Sequence, residues 1–522
     1  MDLLPQELIG DILQRLPARE IAVCRTVSKD LRAVIDGRGL LVVHLAPRGL
    51  RGVFINFTGQ DEPYFFSRRE RAVPRVDGEL NFLPEIELVR EALHHSNGLL
   101  LVQDWGTLFV CNPATRRWAQ LPSRSSKGFG DTEHLVFDPT VSLHYEVISF
   151  AEAPRKPKIP IQPDIERPSW CKTSFPEYTD EEIENLPYTL RAKYDHEAQI
   201  KGSVEWPPSS HMAQVFSSRT GQWEERAFVR EDDVTVTLMD VWSDPWGPEM
   251  SYKATRCNAV YWQGAFYIHC RGGFVMRLSL LQQKYKVIKT PRLDNVFTRP
   301  KLDVDKFLSK EGPYRNKEYC LREFQKEHKY LDSAKPSMHF GKSEHGIYYT
   351  ALLWYQLCIW VLHEASECHP TPEWELKHKV DIGPSFRQHY TREERKEIME
   401  SWSLDCGKEG SANQIDCGWD SDDDSGINVE GDDGSSNGGV YYCNMSRHMD
   451  LLGYHPSKEI VFLGNRFDGF SYYLDSSKLQ FLGNFYPEGC VHSLVAFTHE
   501  SFIYTPCMHD LLPNQKKNTT HD

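Results

Sequence analysis

The sequence predicts a mainly β protein with a small all-α N-terminal domain. Three short helices fill 1–45, and a β-propeller of roughly six to eight blades with disordered inserts follows. Two observations carry this expectation. Residues 4–36 differ in kind from the rest, with apolar positions at helical spacing. Further on, pairs of short apolar runs joined by Gly-, Asp- or Asn-rich turns recur, each leading to a Trp or Tyr strand.

In the head, Leu8, Ile9, Ile12, Leu13 and Leu16 fall at i, i+1, i+4, i+5 and i+8, an apolar stripe along one side of a helix. Pro5 suits the first turn, Glu7 sits near the positive end of the helix dipole, and Pro17 stops the helix. A second short helix carries Ile21, Ala22, Cys24 and Val27. Ser28 is an N-cap for a third helix bearing Leu31, Val34 and Ile35, ended by Gly37 and Gly39. A chain below about 40 residues usually needs outside help to stay folded. Leu4, Pro5, Ile9 and Leu13 are therefore expected to remain partly exposed. Burying one such aliphatic side chain is worth roughly 1.5–3 kcal/mol. The cluster implies either a partner surface or packing on the C-terminal domain, and physics alone leaves both open.

The stretch LLPQELIGDILQRLPAREIAVCRTVSKDLRAVI resembles an F-box. Three blocks carry the resemblance: LP-x-E-L at Leu4, Pro5, Glu7 and Leu8; I-L-x-x-L-P at Ile12, Leu13, Leu16 and Pro17; and C-R-x-V-S-K from Cys24 to Lys29. The resemblance implies binding to the Skp-type adaptor of a cullin–RING ubiquitin ligase. Leu4, Pro5, Leu8, Ile9, Ile12, Leu13, Leu16, Pro17, Ile21, Val27 and Leu31 would make that contact or directly support it. The family usually has Trp two residues after the Ser-Lys pair, where this chain has Leu31.

The repeat opens with CNPATRRWAQLP (111–122), a turn followed by Trp118. SSRTGQWEERAF (217–228) repeats the spacing from Thr220 to Trp223. SLLQQKYKVIKTP offers Tyr285, TPEWELKHKV offers Trp374, and YLDSSKLQFLG is a looser copy with Leu479. Three preceding stretches, 96–112, 262–279 and 459–475, each read strand, turn, strand. Each unit is thus three antiparallel strands, with a fourth between units. One such blade cannot bury both faces, whereas blades around an axis bury each other, with the aromatics between neighbours. A solenoid or paired sandwiches is the alternative architecture. Blades of about 40–50 residues fit the irregular anchor intervals if some blades go unrecognised and others carry inserts. The regions NGLLLV, VCNPATRRWAQLP, LVFDPTVSLHYEV, VFSSRTGQWEER and AVYWQGAFYIHCRGGFVMRLSL resemble the F-box-associated, kelch-like repeats of plant F-box proteins. That resemblance implies a substrate-recruiting region.

The expected division is a head over 1–45, propeller over 46–400 with an insert at 151–200, an acidic disordered insert at 401–439, propeller again over 440–510, and a disordered tail at 511–522. Short helices are expected around 180–196, within 300–335 and at 391–402. DSDDDSGINVEGDDGSSNGG places acids at three EF-hand positions, but Ser425 and Gly431 stand where Gly and Glu are needed, so calcium is not expected there.

A chain of 522 residues with 40% hydrophobic residues supports more than one core. Its net charge of −14 argues against nucleic acid, whose phosphates need clustered Lys and Arg. No apolar run reaches the length of about 18 residues that a membrane span needs, and IYYTALLWYQLCIWVL (347–362) reads as two adjacent buried strands. The 13 cysteines show no C-x-x-C and no zinc spacing. Reduced thiols in the cytoplasm or nucleus are the expectation. P-loop, G-x-G-x-x-G and H-E-x-x-H motifs are absent from the sequence. His94 and His95 are adjacent and point opposite ways on a strand, so they make a poor metal pair. The expectation is a non-catalytic adaptor subunit without cofactor or metal. It would recruit an unknown protein target, without nucleic acid or membrane. The alternative is a propeller enzyme or lectin whose head only packs on the sheets.

Overall fold

The computed structural model describes residues 6–13, 18–38, 50–67, 76–84, 89–124, 131–157, 187–244, 259–300, 334–343, 345–364, 371–386, 449–465, 468–485, 498–509 and 511–513, with Arg322, Gln325, Lys329, Ile427 and Asn428. The expected helix at 391–402 lies outside the described residues. Within 300–335, Arg322, Gln325 and Lys329 are helical and exposed.

Among the described residues the β region is a ring of six blades. Blade 1 is β3 (Arg90–Ser96), β4 (Leu99–Asp104), β5 (Thr107–Asn112) and β6 (Arg117–Gln120). Blade 2 is β7 (Thr132–Val136), β8 (Glu146–Phe150), β9 (Ser210–Ser217) and β10 (Gln222–Arg230). Blade 3 is β11 (Ala259–Trp262), β12 (Ala265–Cys270), β13 (Phe274–Ser279) and β14 (Lys284–Lys289). Blade 4 is β15 (Ser337–Ser343), β16 (Gly346–Leu353), β17 (Gln356–His363) and β18 (Glu373–Asp381). Blade 5 is β20 (Asp450–Tyr454), β21 (Ile460–Asn465), β22 (Asp468–Tyr473) and β23 (Lys478–Asn484), with β19 (Ile427–Asn428) added at its outer edge. Blade 6 joins β24 (Thr498–Tyr504) from one end of the chain to β1 (Gly52–Phe57) and β2 (Tyr64–Phe66) from the other.

Closure is a matter of burial. Six hydrophobic clusters lie between consecutive blades, one at each interface of the ring, including those of blade 6 with blades 5 and 1. Each blade therefore hides both faces, which a solenoid or a pair of sandwiches would not achieve. The innermost strands meet one another: β3 with β7, β11 with β15, β15 with β20, β20 with β24 and β24 with β3. Blades 2 and 3 are further fused by a parallel pairing of β10 with β14 at Val229–Arg230.

The aromatic anchors are not scattered among unrecognised blades, as the sequence reading allowed. Trp118, Trp223, Tyr285, Trp374 and Leu479 sit on the fourth strands of blades 1 to 5 in succession. The uneven intervals come from insertions within and between blades. The turn before the anchor is also conserved within the molecule. Arg116, Gly221, Gln283 and Ser477, each two residues before its anchor, all have left-handed φ between 54° and 71°. Three of these are not glycine and carry a backbone cost of roughly 1 kcal/mol each. The repeated turn geometry, which fixes hairpin register, outweighs that cost.

The remaining sequence expectations resolve as follows. Residues 347–362 form the buried hairpin β16–β17. The helix expected around 180–196 runs from Tyr188 to Gly202 (α4), and Gly202 lets Met239 and Trp242 of α5 (Leu238–Ser243) approach closely. The 511–522 tail needs correction: Leu512 is 3% exposed in the core between blades 1 and 2, and its carbonyl accepts from Arg117 Nη1 at 3.2 Å. In the acidic stretch, Ile427 and Asn428 pair with Leu479 and Lys478, and its other residues lie outside those described.

Candidate functional site: the helical head

Three helices make the head: α1 (Gln6–Leu13), α2 (Ala18–Val27) and α3 (Lys29–Gly37). Ser28 caps α3 as expected, its Oγ accepting the Leu31 N–H at 3.1 Å. The core of the head is Leu13, Ile21, Leu31, Val34 and Ile35, with Ile9 and Cys24 partly buried against it. Every member of that cluster comes from the head itself. A Cβ at Gly10 would collide with the Arg38 guanidinium, so glycine there lets the end of α3 close onto α1.

The anticipated adaptor residues therefore divide. Leu13, Ile21 and Leu31 are buried and hold the bundle together. The expected partial exposure of Leu13 is corrected to 4%, because α3 covers it, while Ile9 is half-buried. Ile12 is 54% exposed and Val27 70% exposed, both apolar and facing solvent. Val23, 58% exposed and one helical turn before Val27, joins them. Sequence reasoning missed Val23, although its i, i+4 relation to Val27 is the signal that would have found it. Leu8 lies on α1, and Leu4, Pro5, Leu16 and Pro17 lie outside the described residues.

The propeller shows structural use of its polar groups. His94 and His95 do point opposite ways: the His94 ring bonds the Ala259 carbonyl of blade 3 at 3.1 Å, while His95 Nε2 accepts from Gly98 N at 3.0 Å. Burial depresses His94 to about 4 and His95 to about 3. Arg124 pairs with Glu133 at 2.6 Å across the blade 1–2 junction. Among the described residues no group of three His, Cys, Asp or Glu could hold a metal ion, and no helix is long and apolar enough to cross a membrane.

A small apolar-faced helical bundle ahead of a propeller defines the class, and comparison agrees: the F-box domain family matches residues 1–42. The chain thus carries an F-box. Curated relatives, each matching a little over a quarter of this chain, are plant F-box proteins. The F-box protein At5g65850 of Arabidopsis thaliana is 28% identical over 153 residues, 28% of this chain and 39% of that protein. The F-box protein At2g21930 of the same plant is 27% identical over 156 residues, again 28% and 39% of the two chains. A third Arabidopsis protein with an F-box name is 32% identical over 149 residues, 26% of this chain and 47% of its own length. The matches span less than half the length of these relatives.

Proposed function

We propose that this chain is the substrate-recruiting adaptor subunit of a Skp–cullin–F-box type ubiquitin ligase, working in the cytoplasm or nucleus. The F-box takes the Skp-type adaptor and through it the cullin–RING ligase; the propeller takes a protein target. One observation carries the reading: among the described residues the three helices pack on one another through Leu13, Ile21, Leu31, Val34 and Ile35, while Ile12, Val23 and Val27 stay exposed. Apolar side chains left exposed on so small a bundle suit the apolar surface of a partner. The mechanism is proximity. Tethering raises the effective concentration of target lysines near the charged ubiquitin carrier, and no covalent step falls to this chain.

Retention of a purified Skp-type adaptor by the full-length chain tests this. Ile12→Asp places a charge on the apolar surface and should abolish retention, whereas Leu281→Asp, at a propeller turn 95% exposed, should leave it intact. Equal recovery of wild type and Ile12→Asp sinks the proposal.

A further inference from the structure

The outermost strand of each blade is an edge, and an edge leaves backbone N–H and C=O groups open to pairing with another chain. Most edges of this ring are short or already taken. β2 has three residues and β6 four. β10 and β14 pair with each other at Val229–Arg230 and Lys284–Tyr285, and β23 receives Ile427–Asn428. β18 differs. It runs nine residues, Glu373–Asp381, and pairs with β17 on its inner side and with no strand on its outer side among the described residues. Leu376, near its middle, is 46% exposed.

The side chains of β18 are ordered by charge. Glu373 and Glu375 precede Leu376, and Lys377 and Lys379 follow it. An edge split into acidic and basic halves repels a parallel copy of itself, Glu on Glu and Lys on Lys, and attracts an antiparallel one. A bulge sets the faces: Ile359 opposes His378 and Trp360 opposes Leu376, so Lys377 is the extra residue. Trp374, Leu376 and Lys379 face blade 3, where Trp374 Nε1 and Lys379 Nζ reach the Lys289 and Val296 carbonyls. Glu375, Lys377 and His378 face blade 5, where Lys377 meets Glu459 and His378 the Tyr472 hydroxyl. Glu375 meets His363 of the same sheet, both side chains more than half exposed. An antiparallel second copy, its two-fold axis at Leu376, matches these faces. Leu376 meets Leu376, Glu375 meets the bulged pair Lys377 and His378, and the Trp374 indole meets the Lys379 ammonium. The last two contacts each occur twice.

We infer that this chain pairs with a second copy of itself through the outer edge of β18, antiparallel and centred on Leu376. Two-fold pairing uses up the edge in both copies, so the assembly closes as a dimer. With nine residues a side the interface is small for a specific complex, so pairing is reversible and depends on concentration. A closed pair presents two heads and two propellers, and a target with two binding segments gains avidity. That consequence rests on the adaptor reading; the pairing does not.

Sedimentation velocity of the full-length chain, from about 1 to 100 μM, should show its mass rise from one copy to two. Leu376→Lys sets two ammonium groups on the axis and should raise the dimer dissociation constant about tenfold or more. Glu375→Lys faces Lys377 of the second copy and should do the same. Both side chains are exposed, so both variants should keep the wild-type melting temperature. Leu376→Cys places two thiols directly opposite, Cα atoms about 4.5–5.5 Å apart and within disulfide reach. An oxidised glutathione buffer should link that variant as a dimer on non-reducing gels, whereas Leu281→Cys, 95% exposed in blade 3, should stay unlinked. A chain that stays monomeric, one that grows past the dimer, a dimer untouched by Leu376→Lys or by Glu375→Lys, or failure of Leu376→Cys to link overturns the inference. Ile12→Asp should lose the Skp-type adaptor and still dimerise, and Leu376→Lys should keep the adaptor as a monomer. Wild type that dimerises without holding the adaptor sinks the ligase reading alone; monomeric wild type that holds it sinks the pairing alone.

Discussion

Trp223 donates its indole N–H to the carbonyl of Pro122 at 2.8 Å, reaching from the fourth strand of blade 2 back to the chain leaving blade 1. Trp374 does the same from blade 4, donating to the Lys289 carbonyl of blade 3 at 2.9 Å. Tyr285 donates to the Pro208 carbonyl at the start of blade 2's third strand at 2.6 Å. These three anchors are thus ties to the preceding blade. Trp223 also lies under Arg124, 5.2 Å from its ring centroid. Trp223→Phe keeps the ring and loses the bond, and should cost about 1 kcal/mol in urea unfolding. Trp223→Ala loses packing as well and should cost about 3 kcal/mol.

Ring closure depends on the C-terminal strand. β24 pairs with β1 from Gly52↔Tyr504 to Phe57↔Thr498, and Asn112 Nδ2 holds the Cys507 carbonyl at 2.8 Å. A chain stopped before Thr498 leaves blades 5 and 1 with one naked face each and should show no cooperative thermal transition. A chain stopped after Pro513 keeps Leu512 in its core and should melt with the full-length protein. Calorimetry of the two truncations compares them directly.

Much of this architecture was legible because blades repeat locally. Turn-plus-anchor spacing gave five of six blades, since Thr220-to-Trp223 copies Thr115-to-Trp118. Blade 6 was invisible for a physical reason: its strands lie at opposite ends of the chain, and pairing such as Val53↔Ile503 leaves no trace in a local window. The head was legible as helices but not as surface against core. Ile12 and Leu13 are neighbours of equal hydrophobicity, and only the position of α3 decides that Leu13 is covered and Ile12 is not.

Acid should loosen the propeller through its buried histidines. Burial holds His94, His269 and His339 at about 4 and His95 at about 3, against an ordinary value near 6.5. Between those limits the unfolded chain binds more protons than the folded one, so stability is complete above pH of about 6.5 and falls as pH drops toward about 4. Each such group contributes a slope of up to about 1.4 kcal/mol per pH unit. His269 isolates one of them. Its Nδ1 has no hydrogen-bond partner among the described residues, and its ring packs on Phe340 and Tyr349 at 6.3 and 5.3 Å. His269→Phe should leave stability at neutral pH unchanged or higher and flatten the acid slope in urea titrations; an unchanged slope contradicts the assignment.

Leu31 occupies the position where F-boxes usually carry Trp, and its surroundings say why Leu suits this chain. It is 8% exposed, buried beside Leu13, Ile21, Val34 and Ile35 among the described residues of the head. A bundle this small has no slack for an indole, and overpacking costs about 1–3 kcal/mol. Leu31→Trp should therefore loosen the head rather than strengthen its hold on an adaptor: amides of α1 and α3 exchange faster, and limited proteolysis cuts the head sooner than in wild type. Ile12→Trp is the matched comparison. It adds the same indole to a side chain 54% exposed, where surface substitutions stay within about 0.5 kcal/mol, and should leave exchange unchanged. Equal protection in both variants would mean that Leu31 is not packed as the core geometry requires.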